Sequence, residues 1–204
     1  MPRESAFNHP AHWPACRVRS AESRMAGQGL AFVVHKHKAT SLHYDFRLEI
    51  GDVMPSWSIP KGPTLDNKLK RLAMPTDDHD LEYRNFEGVI SGGPVMIWDE
   101  GYYWPEVEPS KGVRREITGM SEALEVAAKS LAEGNVKFML YGSKLKGSFA
   151  LVRTRGIRGK ESWLLIKHRD EHCVDGYDAN RLDFSARSGL SLDEIYSGRG
   201  NAED

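Results

Sequence analysis

The sequence predicts a mainly β fold, a small antiparallel barrel or sandwich, on three observations. Between Leu30 and about Glu108, short runs rich in Val, Ile, Phe and Trp alternate with turns carrying Pro and Gly. One segment, around residues 121–133, changes to helical spacing, and the strand pattern then resumes in KFMLYG (137–142), KGSFALVRT (146–154) and SWLLIKH (162–168). With 204 residues, 40% hydrophobic and 28% charged, the chain suits one globular domain and excludes a collagen-like or wholly disordered one.

Taken in order, residues 1–29 mix Pro, His, Arg, Ser and Gly without a sustained period, and a flexible N-terminal arm is expected there. Strands are expected at 30–37, 42–50, 56–60, 69–75, 94–99 and 102–107. Ser121 is positioned to cap a helix in which Leu124, Ala127, Ala128 and Leu131 share a stripe, and Gly134 to end it. The domain is expected to span 30–175, followed by a polar C-terminal tail, 176–204, with a short helix at LSLDEIY (190–196).

Charge does little to select a partner, because 28 Lys and Arg balance 29 Asp and Glu. Distribution says more. Nine basic residues against the single acid Glu161 lie between Lys137 and Arg169, a stretch that could face phosphates or equally be a solvated surface. Cys16 and Cys173 are isolated thiols without metal-site spacing, which suits a reducing compartment. The N-terminus has no apolar signal core and no stretch approaches a membrane span, so a soluble, cytoplasmic protein with no membrane partner is expected.

The chemistry concentrates in two neighbouring strands. In LHYDFRLEI (42–50), Leu42, Tyr44, Phe46, Leu48 and Ile50 alternate with His43, Asp45, Arg47 and Glu49, so the polar set shares one face. In AFVVHKH (31–37), Val33, His35 and His37 share a face. Five residues separate His37 from His43, which suits a short hairpin that sets His37 beside His43 and Asp45. Two imidazoles and a carboxylate form a three-ligand face with open positions, suited to Mn, Fe(II) or catalytic Zn. His35 reads as a neighbour of the ligands or a satisfied structural histidine. Lys61, in the rigid turn Pro60–Pro63, reads as a loop lysine or as a point charge for phosphate. His79 stands among Asp77, Asp78 and Asp80, whose charges favour the imidazolium form of a proton donor, a phosphate clamp or a surface loop residue.

These segments resemble the phosphoesterase domain of bacterial DNA ligase D and its free-standing bacterial and archaeal relatives. The likeness rests on FVVHKHKATSLHYDFRLE (32–49), WSIPKGP (57–63), KRLA (70–73), DHDLEYRNFEG (78–88), VMIWD (95–99), FMLYGSKLKGSFALV (138–152) and WLLIKHRD (163–170), in matching order. The resemblance implies a compact antiparallel β-barrel with one or two flanking helices. It also implies a Mn²⁺-dependent hydrolase, with Zn²⁺ or Co²⁺ as alternative ions. Such an enzyme removes 3'-terminal ribonucleotides and 3'-phosphates, leaving a 3'-OH for end-joining repair. By motif, His37, His43 and Asp45 match the metal ligands, Arg47 and His79 the catalytic phosphate contacts, with Lys61 beside them, and Arg71 and Tyr83 further positions that hold the phosphate or the 3' end.

Its expected partners are DNA or RNA–DNA 3' ends, of primer–template form, together with a separate DNA ligase and end-joining proteins. The nearest likeness to a ligase nucleophile motif, CVDG (173–176), has Cys173 where lysine would stand. Three departures from the family pattern stand out: only SGGP between Ile90 and Val95 in place of a longer Gly-rich loop, an arm lacking the usual acidic and arginine motif, and His35 where Gln or another polar residue is expected. Two other readings remain open. An Fe(II) oxygenase would use His43, Asp45 and His79 as its triad and leave His37 a bystander. An inert nucleic-acid-binding module would use the basic C-terminal strands.

Overall fold

A computed structural model describes residues 29–157 and 160–198. The expected N-terminal arm lies outside the described residues, apart from Gly29. Among the described residues ten strands follow the chain: β1 (Leu30–Lys38), β2 (Leu42–Leu48), β3 (Val53–Ile59), β4 (Lys70–Asp80), β5 (Gly88–Ile90), β6 (Gly93–Ser110), β7 (Val113–Glu116), β8 (Asn135–Gly142), β9 (Lys146–Ile157) and β10 (Lys160–Lys167). Eight of them run in the order β1-β2-β3-β4-β10-β9-β8-β6, and pairing of β6 with β1 closes an antiparallel barrel. Closure removes the sheet edges that an open sandwich would have to protect. β5 and β7 each hang from β6.

The alternation seen in the sequence fills this barrel. Phe32, Tyr44, Phe46, Trp98, Tyr103, Phe138 and Phe149 are buried in one core, with Trp57 against Trp163 at 5.5 Å between ring centres. β6 runs through where two strands were expected. Glu100-Gly101 looks like a turn, but Gly101 is where the β8 backbone passes, and a Cβ there would stand 2.2 Å from the Tyr141 carbonyl oxygen. This glycine marks a close approach rather than a bend. β4 likewise runs on to Asp80 through a Pro- and Asp-rich stretch, because β3 pairs with it as far as Val53↔Asp80. His79 therefore stands on a strand.

Helix α1 (Met120–Glu133) buries Ala123 and Ala127, with Leu124 and Leu131 partly buried beside them. It begins one residue before the expected cap. Gly119 is its N-cap, without a side-chain cap, and Ser121 falls in the first turn. Gly134 ends it in the left-handed conformation, φ 76°, as its position suggested.

The segment expected as a polar tail packs on the barrel as far as it is described. Ala179, Leu192 and Ile195 join the core, and Trp98 Nε1 donates to the Leu182 carbonyl at 2.8 Å. Helix α2 (Leu192–Tyr196) carries a complete capping box between Ser191 and Glu194. Stopping the chain after residue 175 is therefore expected to destabilise it severely. Each buried Leu or Ile contributes about 1.5–3 kcal/mol, against a total stability of about 5–15 kcal/mol. A thermal melt of the truncated chain within a few degrees of the full chain would contradict this packing.

Candidate active site

The β1–β2 register sets His37 opposite His43, His35 opposite Asp45 and Val33 opposite Arg47. Opposed residues in an antiparallel pair share a face, so these side chains line the outer side of the barrel wall while Phe46 and Tyr44 point inward. His37, His43 and Asp45 each bring a ligand atom within 4.8 Å of the others, and His79 stands outside this group. The His37 and His43 rings lie 4.9 Å apart at 62°.

The hydrogen bonds around the cluster leave its ligand atoms available. His43 Nδ1 lies 3.0 Å from the Ser41 carbonyl, an acceptor, which favours the tautomer with the proton on Nδ1 and turns Nε2, 3.6 Å from Asp45 Oδ1, toward the cluster. The other carboxylate oxygen, Oδ2, accepts from Arg47 Nη2 at 3.0 Å. His37 Nε2 is buried with no partner in hydrogen-bond geometry among the described residues. Burial and then the neighbouring His43 hold the His37 pKa below its usual value, which favours the neutral imidazole a metal requires. A buried nitrogen lacking a partner, two imidazoles and a carboxylate clamped from behind fit a divalent ion with open coordination positions.

Arg47, only 3% exposed, ties this cluster to a second one. Its Nε donates to His35 Nδ1 at 3.2 Å, Nη1 donates to Ser56 Oγ at 2.8 Å and lies 2.9 Å from His79 Nδ1, and Nη2 reaches Asp45. Tyr83 lies over the group: its ring is 5.2 Å from the guanidinium carbon, 4.7 Å from the His79 ring and 5.4 Å from the His35 ring. His79 Nδ1 is 2.9 Å from the donor Arg47 Nη1 and also 2.9 Å from the Asp77 carbonyl, an acceptor. One nitrogen serves one of them at a time. With Nδ1 bare, His79 takes the Arg47 bond; with a proton on Nδ1, in the other neutral tautomer or in the imidazolium, it donates to Asp77 and releases Arg47.

The expected charge of His79 is corrected by this packing. Burial and the Arg47 cation lower its pKa, outweighing the carboxylates that adjoin it in sequence. His35 has Nδ1 bound to Arg47 and Nε2 buried without a partner in hydrogen-bond geometry among the described residues, so it backs the guanidinium rather than joining the ligand set.

Six of the eight expected site residues thus meet: His37, His43, Asp45, Arg47, His79 and Tyr83. Lys61 and Arg71 do not join them. Lys61 is exposed on its turn and makes no hydrogen bond or ion pair with a described residue. Arg71 opposes Leu165, a core residue, so it lies on the interior side of β4, and its Nε is buried without a hydrogen-bond partner among the described residues. An even spacing of eight residues suggests that Arg71 and His79 share a face. A register shift intervenes, because Ser56 opposes Thr76 while Met54 opposes His79, and the extra β4 residue reverses the alternation.

Two further residues belong to the site. Ser56 accepts from Arg47 and donates to the Met54 carbonyl at 2.8 Å; its one sequence signal was the polar alternation of Ser56 and Ser58 along β3. Gly92 lies in the short β5–β6 turn, where a Cβ would meet the His37 ring at 3.4 Å. Several members of the basic stretch are engaged elsewhere: Lys137 with Glu108, Lys144 with the Phe184 carbonyl and Lys167 with Asp170. A cavity of about 690 Å³ between α1 and the Trp57–Trp163 wall has none of His37, His43 and Asp45 in its lining.

Among known proteins, the chain matches the family model described as the DNA ligase D 3'-phosphoesterase domain over residues 35–153, a span that contains both clusters. It is 41% identical over 147 residues to the multifunctional non-homologous end joining protein LigD of Pseudomonas aeruginosa, covering 69% of this chain and 15% of that protein. The corresponding repair protein of Mycobacterium tuberculosis is 34% identical over 161 residues, 76% of this chain and 18% of that protein. That of Mycolicibacterium smegmatis is 33% identical over 150 residues, 71% of this chain and 18% of that protein. The matched region is therefore under a fifth of the length of these relatives.

Proposed function

This chain belongs to the DNA ligase D 3'-phosphoesterase domain family, and on that premise we propose that it is a Mn²⁺-dependent hydrolase that removes 3'-terminal ribonucleotides and 3'-phosphates from DNA or RNA–DNA ends. The 3'-OH it leaves is then used by a separate ligase and end-joining proteins. The observation that carries this reading is the joining of two clusters by one guanidinium. Asp45 offers one oxygen toward His37 and His43 and gives the other to Arg47, which reaches His79.

In this reading His37 and His43 bind through Nε2 and Asp45 through Oδ1. Mn²⁺ suits a mixed nitrogen and carboxylate set with open positions, and Zn²⁺ and Co²⁺ suit the same atoms. A bound divalent ion supplies Lewis acidity toward a phosphoryl oxygen. The remaining work falls to the protein's own groups. His79 and Tyr83 meet the phosphate, and Arg47, buried beneath Tyr83, acts through the positive charge it places behind Asp45 and His79. An arriving phosphate raises the proton affinity of His79, which turns Nδ1–H to the Asp77 carbonyl and leaves Nε2–H as a donor toward the leaving oxygen. The oxygenase reading needs His79 among the ligands, and no observation favours it.

The test is a 5'-labelled primer–template ending in one ribonucleotide, incubated with Mn²⁺, Mg²⁺, Zn²⁺ or EDTA. Shortening by one residue is expected in Mn²⁺ and none in EDTA. His43→Ala is expected to slow trimming by about a hundredfold or more, the scale of a lost electrophile. No shortening with any ion would overturn the enzymatic reading, and full-rate trimming by His43→Ala would overturn the ligand assignment alone.

A further inference from the structure

The turn that carries Tyr83 holds itself poorly. It is a short 3-10 helix (Leu81–Asn85) with no side-chain cap and no fully buried residue. Yet Tyr83 must sit within about one ring's width of His79, Arg47 and His35 at once. Its own interactions are the stack of Tyr83 on Phe86, at 5.4 Å and 9°, the packing of Leu81 against Val33, Met54 and Ile97, and Arg84 at 3.7 Å from Glu49.

Further support comes from about a hundred residues later along the chain. Arg187 donates from Nη1 to the Asn85 carbonyl at 3.1 Å and from Nη2 to Asn85 Oδ1 at 3.2 Å. The same guanidinium grips Glu100 of β6 with Nε at 3.1 Å and Nη2 at 2.5 Å. Next to it, Ser188 Oγ donates to Glu87 Oε1 at 2.5 Å, and Glu87 Oε2 accepts from the Ile97 backbone at 2.8 Å. The segment is itself anchored, with Ala186 N donating to the Ile97 carbonyl at 2.8 Å, beside the β1–β6 register shift at Val34/His35. The planar fork of arginine alone matches a carboxylate on one side and a carbonyl pair on the other.

We infer that Arg187 is a positioning residue for the site, a clamp that fixes the end of the Tyr83 turn to β6 and so holds Tyr83 over Arg47 and His79. It touches neither the metal cluster nor the phosphate contacts. The inference rests on the proposed hydrolase reading for its kinetic consequence, but the clamp itself is a property of the fold.

Arg187→Ala should lower kcat for the ribonucleotide-ended primer about tenfold, with Mn²⁺ affinity unchanged within about twofold, because a misplaced roof loosens transition-state contacts rather than the ligand set. Arg187→Lys, which keeps the charge without the fork, should recover only part of the loss. A double-mutant cycle identifies the route. If Arg187 acts through Tyr83, Tyr83→Ala, which removes the ring, combined with Arg187→Ala should be about as slow as the slower single variant; fully additive losses would overturn the inference. Hydrogen exchange keeps it testable without activity. Amides 81–87 should exchange faster in Arg187→Ala while those of β1 and β2 keep their protection. A turn equally protected in both proteins would overturn the clamp, whereas a wild-type chain inactive on every end would count against the hydrolase reading and leave the exchange result to decide the clamp.

Discussion

Arg47→Ala is expected to lose nearly all end-trimming activity and to melt well below the wild-type chain, the largest effect of any single substitution at this site. The side chain is 3% exposed and has four partners, Asp45, His35, Ser56 and His79. Its removal leaves Asp45, 13% exposed, without its cation, and strips a donor from His35 and Ser56. Breaking a buried ion pair from one side costs about 3–5 kcal/mol, a large part of a typical total. The chemical loss follows a different path. An orienting partner behind a metal ligand is worth about ten to a hundredfold in metal affinity, and the same cation also sets His79. Arg47→Lys separates the two. It keeps a charge in the wall, so it should melt above the alanine variant, but an ammonium reaches one or two of the four partners and trimming should still fall by about a hundredfold. Melting curves, Mn²⁺ titration and single-turnover trimming of the two variants check this. A lysine variant trimming at the wild-type rate would show that the fork geometry is irrelevant.

What the sequence made legible and what it hid divide along local and non-local causes. The β1–β2 hairpin was readable because strict alternation fixes which side chains share a face, and a gap of five residues leaves room for little but a short turn. The grouping of His37, His43 and Asp45 follows from that alone. His79 illustrates the opposite case. Its neighbours in sequence are carboxylates and suggest an exposed, charged loop; in space it is paired into a strand by β3, and burial beside Arg47, Tyr83 and Ser56, with the Arg47 charge, lowers its proton affinity. No window of local sequence contains Arg47. The opposite faces of Arg71 and His79 come from one extra residue in β4, and a bulge of that kind has no signature among Pro75, Thr76 and the aspartates. The C-terminal strap was missed for a related reason. Its polar composition is that of a tail, but Asp183, Arg187 and Ser188 each find a partner on the barrel wall or on the segment beside it: Lys36 for the first, Glu100 for the second and Glu87 for the third.

Acid should unfold this protein earlier than it unfolds a variant with glutamine at position 35. His35 is fully buried against a guanidinium, and burial first, then Arg47, lower its pKa from 6.5 to about 3, with the Phe86 backbone offsetting a part. Between those values the unfolded chain binds a proton that the folded chain does not, so stability is greatest above pH 6.5 and falls as pH drops toward 3. At about 1.4 kcal/mol per unit, the loss is about 2 kcal/mol at pH 5 and about twice that near pH 3. Glutamine still offers an oxygen to Arg47 Nε and does not titrate, so His35→Gln should flatten the fall in urea midpoint between pH 6.5 and 4.5. A residual slope is expected from His168, whose pKa burial and Arg114 lower to about 4. Identical slopes in the two proteins would show that His35 is not what acid attacks. If the slopes differ, the site fails from behind. A proton on His35 sets a second cation against Arg47, the group that orients both Asp45 and His79, so loss of stability and loss of end processing should share one acid limb in wild type and separate in the glutamine variant.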